Sequence, residues 1–217
     1  MNSEINKLSP LGSEKIASYL DKNGSILEIG SGKGETLRCL LEQGFTVTGV
    51  DKDAAEADAE VGGAEAAYAG IAQKTDAGIQ KLPIIRARAE ELPFCDGSFD
   101  QVLLECVFSL CAPIETVAEI SRVLKPEGKV ILTDLYSSAG CEIIETNALV
   151  RNLFTKEKLS ELFAEYTLEY FEDASDALTD FAANLLFNGS PGCCGDIKEL
   201  IKHKPKYGIW IYRKNRQ

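Results

Sequence analysis

LEIGSGKGET, residues 27–36, ends an apolar run at Ile29 and then places glycine at every second position, at Gly30, Gly32 and Gly34. Glycine reaches positive φ without a Cβ clash and lets another molecule approach the main chain, so alternate glycines after a strand mark a turn shaped around a ligand. A strand, a glycine turn and a helix in that order open an α/β sheet, where ligands sit at the carboxyl ends of the strands. The identity of that ligand is the question the rest of the chain has to answer.

Outward from this turn, β-rich runs recur at Ser25–Ile29, Thr46–Val50, Leu82–Arg86, Gln101–Cys106 and Lys129–Asp134. Helical patterns such as Thr36–Gln43 and Ile114–Leu124 separate most of them. Strands alternating with helices mean βαβ units and a parallel sheet with right-handed crossovers. The strands are apolar throughout rather than alternating, which fits a sheet covered by helices on both faces. Pro93 with Asp96-Gly97, and Lys125-Pro126-Glu127-Gly128, supply the turns before the fourth and fifth strands. A helix is predicted over Ser13–Leu20, helices around Lys156–Glu165 and Ser175–Phe187, and strands at Leu168–Phe171 and Ile209–Arg213. The Ala- and Glu-rich stretch 54–72 reads as helix interrupted at Gly62-Gly63.

Two common glycine turns do not fit. A dinucleotide turn, G-x-G-x-x-G, places its third glycine at position 35, where this chain has Glu35, a carboxylate that would repel a pyrophosphate. A phosphate-binding P-loop fails because Gly32-Lys33 is followed by Gly34 rather than by Ser or Thr. What remains is E-x-G-x-G-x-G, Glu28 to Gly34, with an acid, Asp51, at the end of the second strand.

Four motifs in this order resemble one family: SILEIGSGKGET (25–36), TGVDKD (48–53), ARAEELPFCDGSFDQVLLECVFSL (87–110) and EISRVLKPEGKVILTDLY (119–136). Over residues 10–173 the chain resembles class I S-adenosylmethionine-dependent methyltransferases, in particular the small-molecule branch with the menaquinone and ubiquinone enzymes. The resemblance implies a Rossmann-like methyltransferase fold with a seven-stranded, mostly parallel sheet in the order 3-2-1-4-5-7-6, the last strand antiparallel, and helices on both faces. The length fits one domain over 1–217; the segment after residue 173 departs from the commonest family ending, and its inserted helix and GCCG loop in 174–208, with an N-terminal lid helix in 1–22, are expected over the acceptor site. The resemblance also implies S-adenosyl-L-methionine as cofactor, S-adenosyl-L-homocysteine as product, and an enzyme that transfers a methyl group to a small molecule.

By the same resemblance the cofactor-binding residues are Glu28, Gly30, Ser31, Gly32, Gly34, Asp51, Lys52, Ala89, Glu90 and Glu105. S-adenosylmethionine carries no phosphate, so a helix-start glycine is not needed, and acidic side chains near its cationic end attract it. Asp51 ends a strand where a carboxylate can accept both ribose hydroxyls; helix capping is its other reading. At the adenine end the family often has Asp-Ala where this chain has Arg88-Ala89-Glu90, and Arg88 cannot accept a hydrogen bond. Phe94 and Phe99 read as loop and core aromatics.

Methyl transfer is an in-line displacement that asks the protein to align two reactants, exclude water and in some cases remove a proton. Glu105 and Cys106 at the end of the fourth strand and Tyr136 at the end of the fifth, with Asp134 beside it, are the candidates nearest that chemistry. Cys95, Cys106, Cys111, Cys141 and the Gly192-Cys193-Cys194-Gly195 loop raise a thiol or arsenic acceptor as an alternative, since soft thiolates select soft partners. Buried Cys is otherwise an ordinary small apolar residue, and the spacing matches no zinc pattern, so no metal is expected. A non-catalytic protein that holds S-adenosylmethionine or its product is the second reading, and a dinucleotide oxidoreductase, weak for want of the correct glycine spacing, the third. Leu185, Leu186 and Phe187 suggest an apolar lining for the acceptor pocket.

Composition limits the partners. With 34 acidic and 23 basic side chains among 217 residues, the net charge of −11 repels a phosphate backbone, which excludes nucleic acid as the expected partner. The basic run from Lys198 to Arg216 reads as a solvated face, His203 within it as a surface residue, and Trp210 as core. No apolar stretch is long enough to span a bilayer and no leader pattern opens the chain, so a cytoplasmic protein without a membrane partner is expected. Seven cysteines, an odd number, fit reduced thiols rather than a disulfide framework. Nothing in the sequence sets the oligomeric state.

Overall fold

The computed structural model describes residues 10–54, 82–145, 150–188, 200 and 202–216. Its elements are α1 (Ser13–Ala17), β1 (Ser25–Ile29), α2 (Glu35–Glu42), β2 (Thr46–Asp51), β3 (Ile84–Arg86), β4 (Phe99–Glu105) and a single 3-10 turn (Phe108–Leu110). There follow α3 (Pro113–Val123), β5 (Leu124–Tyr136), β6 (Glu142–Glu145), β7 (Val150–Leu153), α4 (Lys156–Leu162), β8 (Tyr166–Asp173), α5 (Ser175–Asn188) and β9 (Lys206–Lys214).

Seven strands form one sheet in the order β3-β2-β1-β4-β5-β9-β8. The first five are parallel, and β9 runs antiparallel between β5 and β8. Counting only the strands of this sheet, the order is 3-2-1-4-5-7-6 with the last in sequence antiparallel, as the motifs imply. The order reverses between β1 and β4, so the carboxyl ends of these two strands open the crevice where such sheets hold ligands.

Alternate residues of each strand go to opposite helical layers, which is why the strands are apolar on both faces. Ile26, Leu103, Ile131, Leu135 and Ile209 pack with Ile16 and Ala17 of α1, Leu37 and Leu40 of α2, and Leu178 of α5. Leu27, Ile29, Leu104, Leu132 and Trp210 pack with Ile120 and Val123 of α3, Leu159 of α4, and Phe163. On this second face Phe163 stacks on Tyr212 at 4.6 Å, and Trp210 meets Tyr136 edge-on at 5.4 Å. Helix starts follow local chemistry: Pro113 opens α3, where a missing N–H costs nothing, and Thr155 caps α4 by accepting from Lys158 N at 3.1 Å.

Boundaries shift where tertiary pairing overrides local pattern. β5 begins at Leu124 rather than Lys129 because Leu124 pairs with Phe99, with an irregularity before Gln101. α1 stops at Ala17, and the chain continues as a turn at Ser18–Tyr19 and a bend at Leu20. The β6–β7 hairpin is absent from the sequence expectation. Its inward face holds Ile144, Arg151 and Leu153, all buried, while Ile143 and Val150 face out. Two four-residue strands, each with one buried aliphatic side chain, give little periodic signal. The expected helix in 54–72 and the GCCG loop lie outside the described residues, except Ala54, as do the side chains of Leu185, Leu186 and Phe187.

Candidate active site

Gly30, Gly32 and Gly34 all adopt the left-handed region, with φ of 72°, 54° and 77°. The turn is fastened to β2: Gly30 N and Ser31 N both donate to Val50 O, at 2.8 and 3.1 Å, and Gly34 N returns to Ser31 O at 2.8 Å. The three glycines differ in what a side chain would meet. A Cβ on Gly30 would lie 2.4 Å from Val107, and one on Gly34 would lie 2.6 Å from Leu82. A Cβ on Gly32 would meet nothing within 4 Å. All three are held to glycine by their positive φ, Gly30 also by its close approach to Val107 and Gly34 by the tips of Leu82 and Ile84, whereas the main chain at Gly32 faces open space at the mouth of the crevice.

Asp51 closes that mouth. One carboxylate oxygen accepts from Gly32 N and the other from Asp53 N, each at 2.8 Å. Each carboxylate oxygen has two acceptor positions, so Asp51 holds the turn and keeps acceptor capacity toward solvent. Neighbouring Lys52 is exposed and pairs with Asp53 at 2.8 Å.

Beneath the turn lie two buried carboxylates, Glu28 at 0% and Glu105 at 1% exposure. Glu28 pairs in register with Leu103, two residues before Glu105, so the two acids share one face of the sheet and lie diagonally across β1 and β4. Thr36, in the first turn of α2, donates to Glu105 Oε2 at 2.8 Å. Toward β3, Ala89 is buried and Glu90 accepts from Ala112 N at 2.9 Å while pairing with Arg88 at 3.3 Å. Glu90 thus ties the segment after β3 to the entry of α3, and Arg88 leans outward onto it.

The three residues nearest the expected chemistry fall in different surroundings. Glu105 lies under the turn as described. Cys106 is fully buried with a positive φ of 55°, its Sγ 3.5 Å from the Tyr207 hydroxyl, and burial together with the Asp134 and Glu105 charges pushes its thiol far up. Native protein is expected to lose the exposed Cys95 and Cys141 thiols rapidly to a disulfide reagent, with Cys106 reacting only on unfolding; rapid labelling of Cys106 would contradict this burial. Cys95 lies in the turn leading into the start of β4, away from the carboxyl rim.

Tyr136 points its hydroxyl at Asp173 Oδ2, 3.0 Å away, and burial and Asp173 raise its pKa to about 12. Asp173 also accepts from Lys206 at 3.1 Å and from the Ser175 hydroxyl. Partial burial would raise Asp173, but Ser175, Lys206 and Tyr136 hold it down at about 2. The unfolded carboxyl titrates near pH 3.9, so the stabilisation by Asp173 is present above that pH and disappears as pH falls toward 2. Asp173→Asn should lower the melting temperature at neutral pH and reduce its fall between about pH 5 and pH 2.5; an unchanged acid slope would contradict the latch.

His203 lies 3.0 Å from Glu142 Oε2, a partner its lysine-rich surroundings in sequence do not suggest. The groups that sequence reasoning passes over are Val107, which fills the space against Gly30, Thr36, Ser109 and Arg151. Ser109 donates through N and Oγ to Asp134 at 2.7 and 2.9 Å, and Arg151 donates to Ser109 Oγ at 2.7 Å. A cleft of about 420 Å³ lined by Asp21, Asp100, Lys125 and Lys129 lies at the opposite, amino end of β4 and β5. Among the described residues, no three His, Cys, Asp or Glu side chains are grouped to hold a metal, and no helix is long and apolar enough to cross a membrane.

The crevice suits a ligand with a cationic end and a diol: an open glycine main chain, a rim carboxylate, and two buried carboxylates below it. Residues 27–132 match the family profile described as a methyltransferase domain. The uncharacterised methyltransferase YodH of Bacillus subtilis is 38% identical over 106 residues, covering 49% of this chain and 41% of YodH. The chain spans about half the length of the first curated relatives it matches. The 1,6-didemethyltoxoflavin-N1-methyltransferase of Burkholderia thailandensis, solved with bound 1,6-didemethyltoxoflavin and S-adenosylhomocysteine, superimposes with a TM-score of 0.62 at 20% identity, over 94% of this chain and 76% of that one. The [4+2]-cyclase SpnF superimposes with the same score, 0.62, at 21% identity over 94% and 80%.

Proposed function

We propose that this chain, a class I S-adenosylmethionine-dependent methyltransferase by its domain and its fold, transfers a methyl group to a small-molecule acceptor by in-line displacement. The observation that carries the reading is the glycine turn: left-handed main chain open at Gly32, tied through its N–H to the rim carboxylate of Asp51. When bound, S-adenosylmethionine supplies an electrophilic methyl group on a sulfonium.

The roles of the chain follow from position and charge. Gly30, Ser31, Gly32 and Gly34 form the main-chain cradle for the methionyl part. Glu28 and Glu105 place negative charge beneath the cationic end, where low dielectric strengthens the attraction. Asp51 takes the ribose hydroxyls, with Lys52 beside it, and Ala89 and Glu90 flank the adenine side. The acceptor approaches over the carboxyl ends of β4 and β5. Cys106 and Tyr136 turn their reactive atoms to Tyr207 and Asp173, so Glu105 is the strongest of the three expected candidates for contact with reactants, and Cys106 and Tyr136 act by shaping the rim.

The decisive test is transfer of a labelled methyl group from S-adenosylmethionine to a small-molecule extract of cells lacking the protein. Label in a low-molecular-weight product is expected, and absence of label with intact cofactor binding would overturn methyl transfer. One structural neighbour in this fold is a [4+2]-cyclase, and the second outcome would leave a protein that holds the cofactor without transferring its methyl.

A further inference from the structure

Arg151 enters the carboxyl rim from β7 and is 3% exposed. Its Nη1 donates to the carbonyl of Cys106 at 3.0 Å and to Ser109 Oγ at 2.7 Å. Asp134 forms a buried ion pair with it, Oδ1 3.8 Å from Nη1, but not a two-pronged one. Its oxygens are engaged instead by Ser109 N at 2.7 Å, Ser109 Oγ at 2.9 Å and Leu135 N at 2.8 Å. Arg151 Nη2 is buried and has no hydrogen-bond partner among the described residues.

A guanidinium is always charged and carries a planar fork of donors matched to two oxygens of one anion. Burying it with part of that fork unused is costly, and folded proteins rarely leave such donors unpaired. Hydrophobic packing could have filled this place: Ile144 and Leu153 face inward beside Arg151 on the same hairpin and are fully apolar. The charge stands at the ends of β4 and β5, against the Cys106 carbonyl, Ser109 and Asp134.

Building on the methyltransferase reading, we propose that Arg151 anchors an anionic oxygen group, a carboxylate or a phosphate, carried by the methyl acceptor. Ser109 Oγ and the Cys106 carbonyl hold one edge of the guanidinium and orient it, and Nη2 offers the free edge to the anion. The acceptor class is then a small acid rather than a neutral or cationic compound, and the hairpin carrying Arg151 is part of the acceptor wall.

The test uses the full chain loaded with S-adenosylhomocysteine and measures binding of acetate, benzoate, inorganic phosphate and phenyl phosphate against acetamide and benzamide. Preference of at least tenfold for an anion over its neutral counterpart is expected, with the carboxylate and phosphate arms telling which oxygen group is read. Arg151→Gln should abolish the preference, Arg151→Lys should keep part of it, and both should bind S-adenosylhomocysteine within about twofold of wild type. If Arg151→Gln does not fold, the wild-type preference and the lysine variant decide. Equal binding of anions and amides, no binding of any probe, or an unchanged preference in the variants would overturn the proposal. So would a tenfold loss of S-adenosylhomocysteine affinity in folded Arg151→Gln, because the anion would then be the cofactor's own carboxylate. Failure of the wild-type chain to bind S-adenosylhomocysteine would instead remove the methyltransferase reading beneath it.

Discussion

Gly32→Val is expected to abolish measurable binding of S-adenosylmethionine, a loss of 100-fold or more, about 2.7 kcal/mol, while the circular dichroism spectrum stays that of the folded chain. The new Cβ meets no protein atom within 4 Å, so the core has no reason to move. The backbone cost of a branched residue at φ 54° is about 1–2 kcal/mol, which a fold of ordinary stability of about 5–15 kcal/mol tolerates. What the side chain does fill is the open space in front of the turn. Gly30→Val is the matched control, since its Cβ would collide with Val107 at 2.4 Å. That variant should melt at a markedly lower temperature, and the pair separates loss of cofactor space from loss of packing. A Gly32→Val protein that still binds normally would place the cofactor elsewhere.

Asp51→Ala should weaken binding by about 10- to 100-fold, on the scale of one or two hydrogen bonds to a charged group. Two effects combine: the ribose hydroxyls lose their acceptor, and Gly32 N and Asp53 N lose the carboxylate that holds them at 2.8 Å. Asp51→Asn distinguishes them. One amide oxygen can still accept from Gly32 N, so the turn keeps its tie, while the amide nitrogen no longer accepts from a hydroxyl. The asparagine variant is therefore expected to lie between wild type and alanine, as measured by calorimetric titration. Unchanged affinity in both variants would confine Asp51 to turn geometry and remove it from the ribose site.

Much of this fold was legible because its information is local. Apolar runs bounded by turn residues mark β1, β2, β4 and β5 without reference to the rest of the chain, and Gly30, Gly32 and Gly34 announce a left-handed turn that the φ angles bear out. The groups that were not legible owe their roles to distant partners. Thr36 meets Glu105 across 69 residues, and Arg151 meets Ser109 across 42. An isolated arginine between valine and asparagine on a four-residue strand reads as surface, and only the docking of the hairpin buries it. Cys106 illustrates the opposite failure. Strand alternation would put it across the sheet from Glu105, but its φ of 55° ends the alternation and sends its thiol into the Leu103 side of the core, against Tyr207. Its position in sequence is that of a reactive group, and its surroundings are those of a packed one.

The measurement closest to the centre is calorimetric titration of the cofactor-stripped chain with S-adenosylmethionine, S-adenosylhomocysteine and NAD, side by side. Micromolar binding of the first two with none of NAD is the expected result. Binding of NAD in their place would contradict the assignment of the Gly30–Gly34 turn and the function built on it.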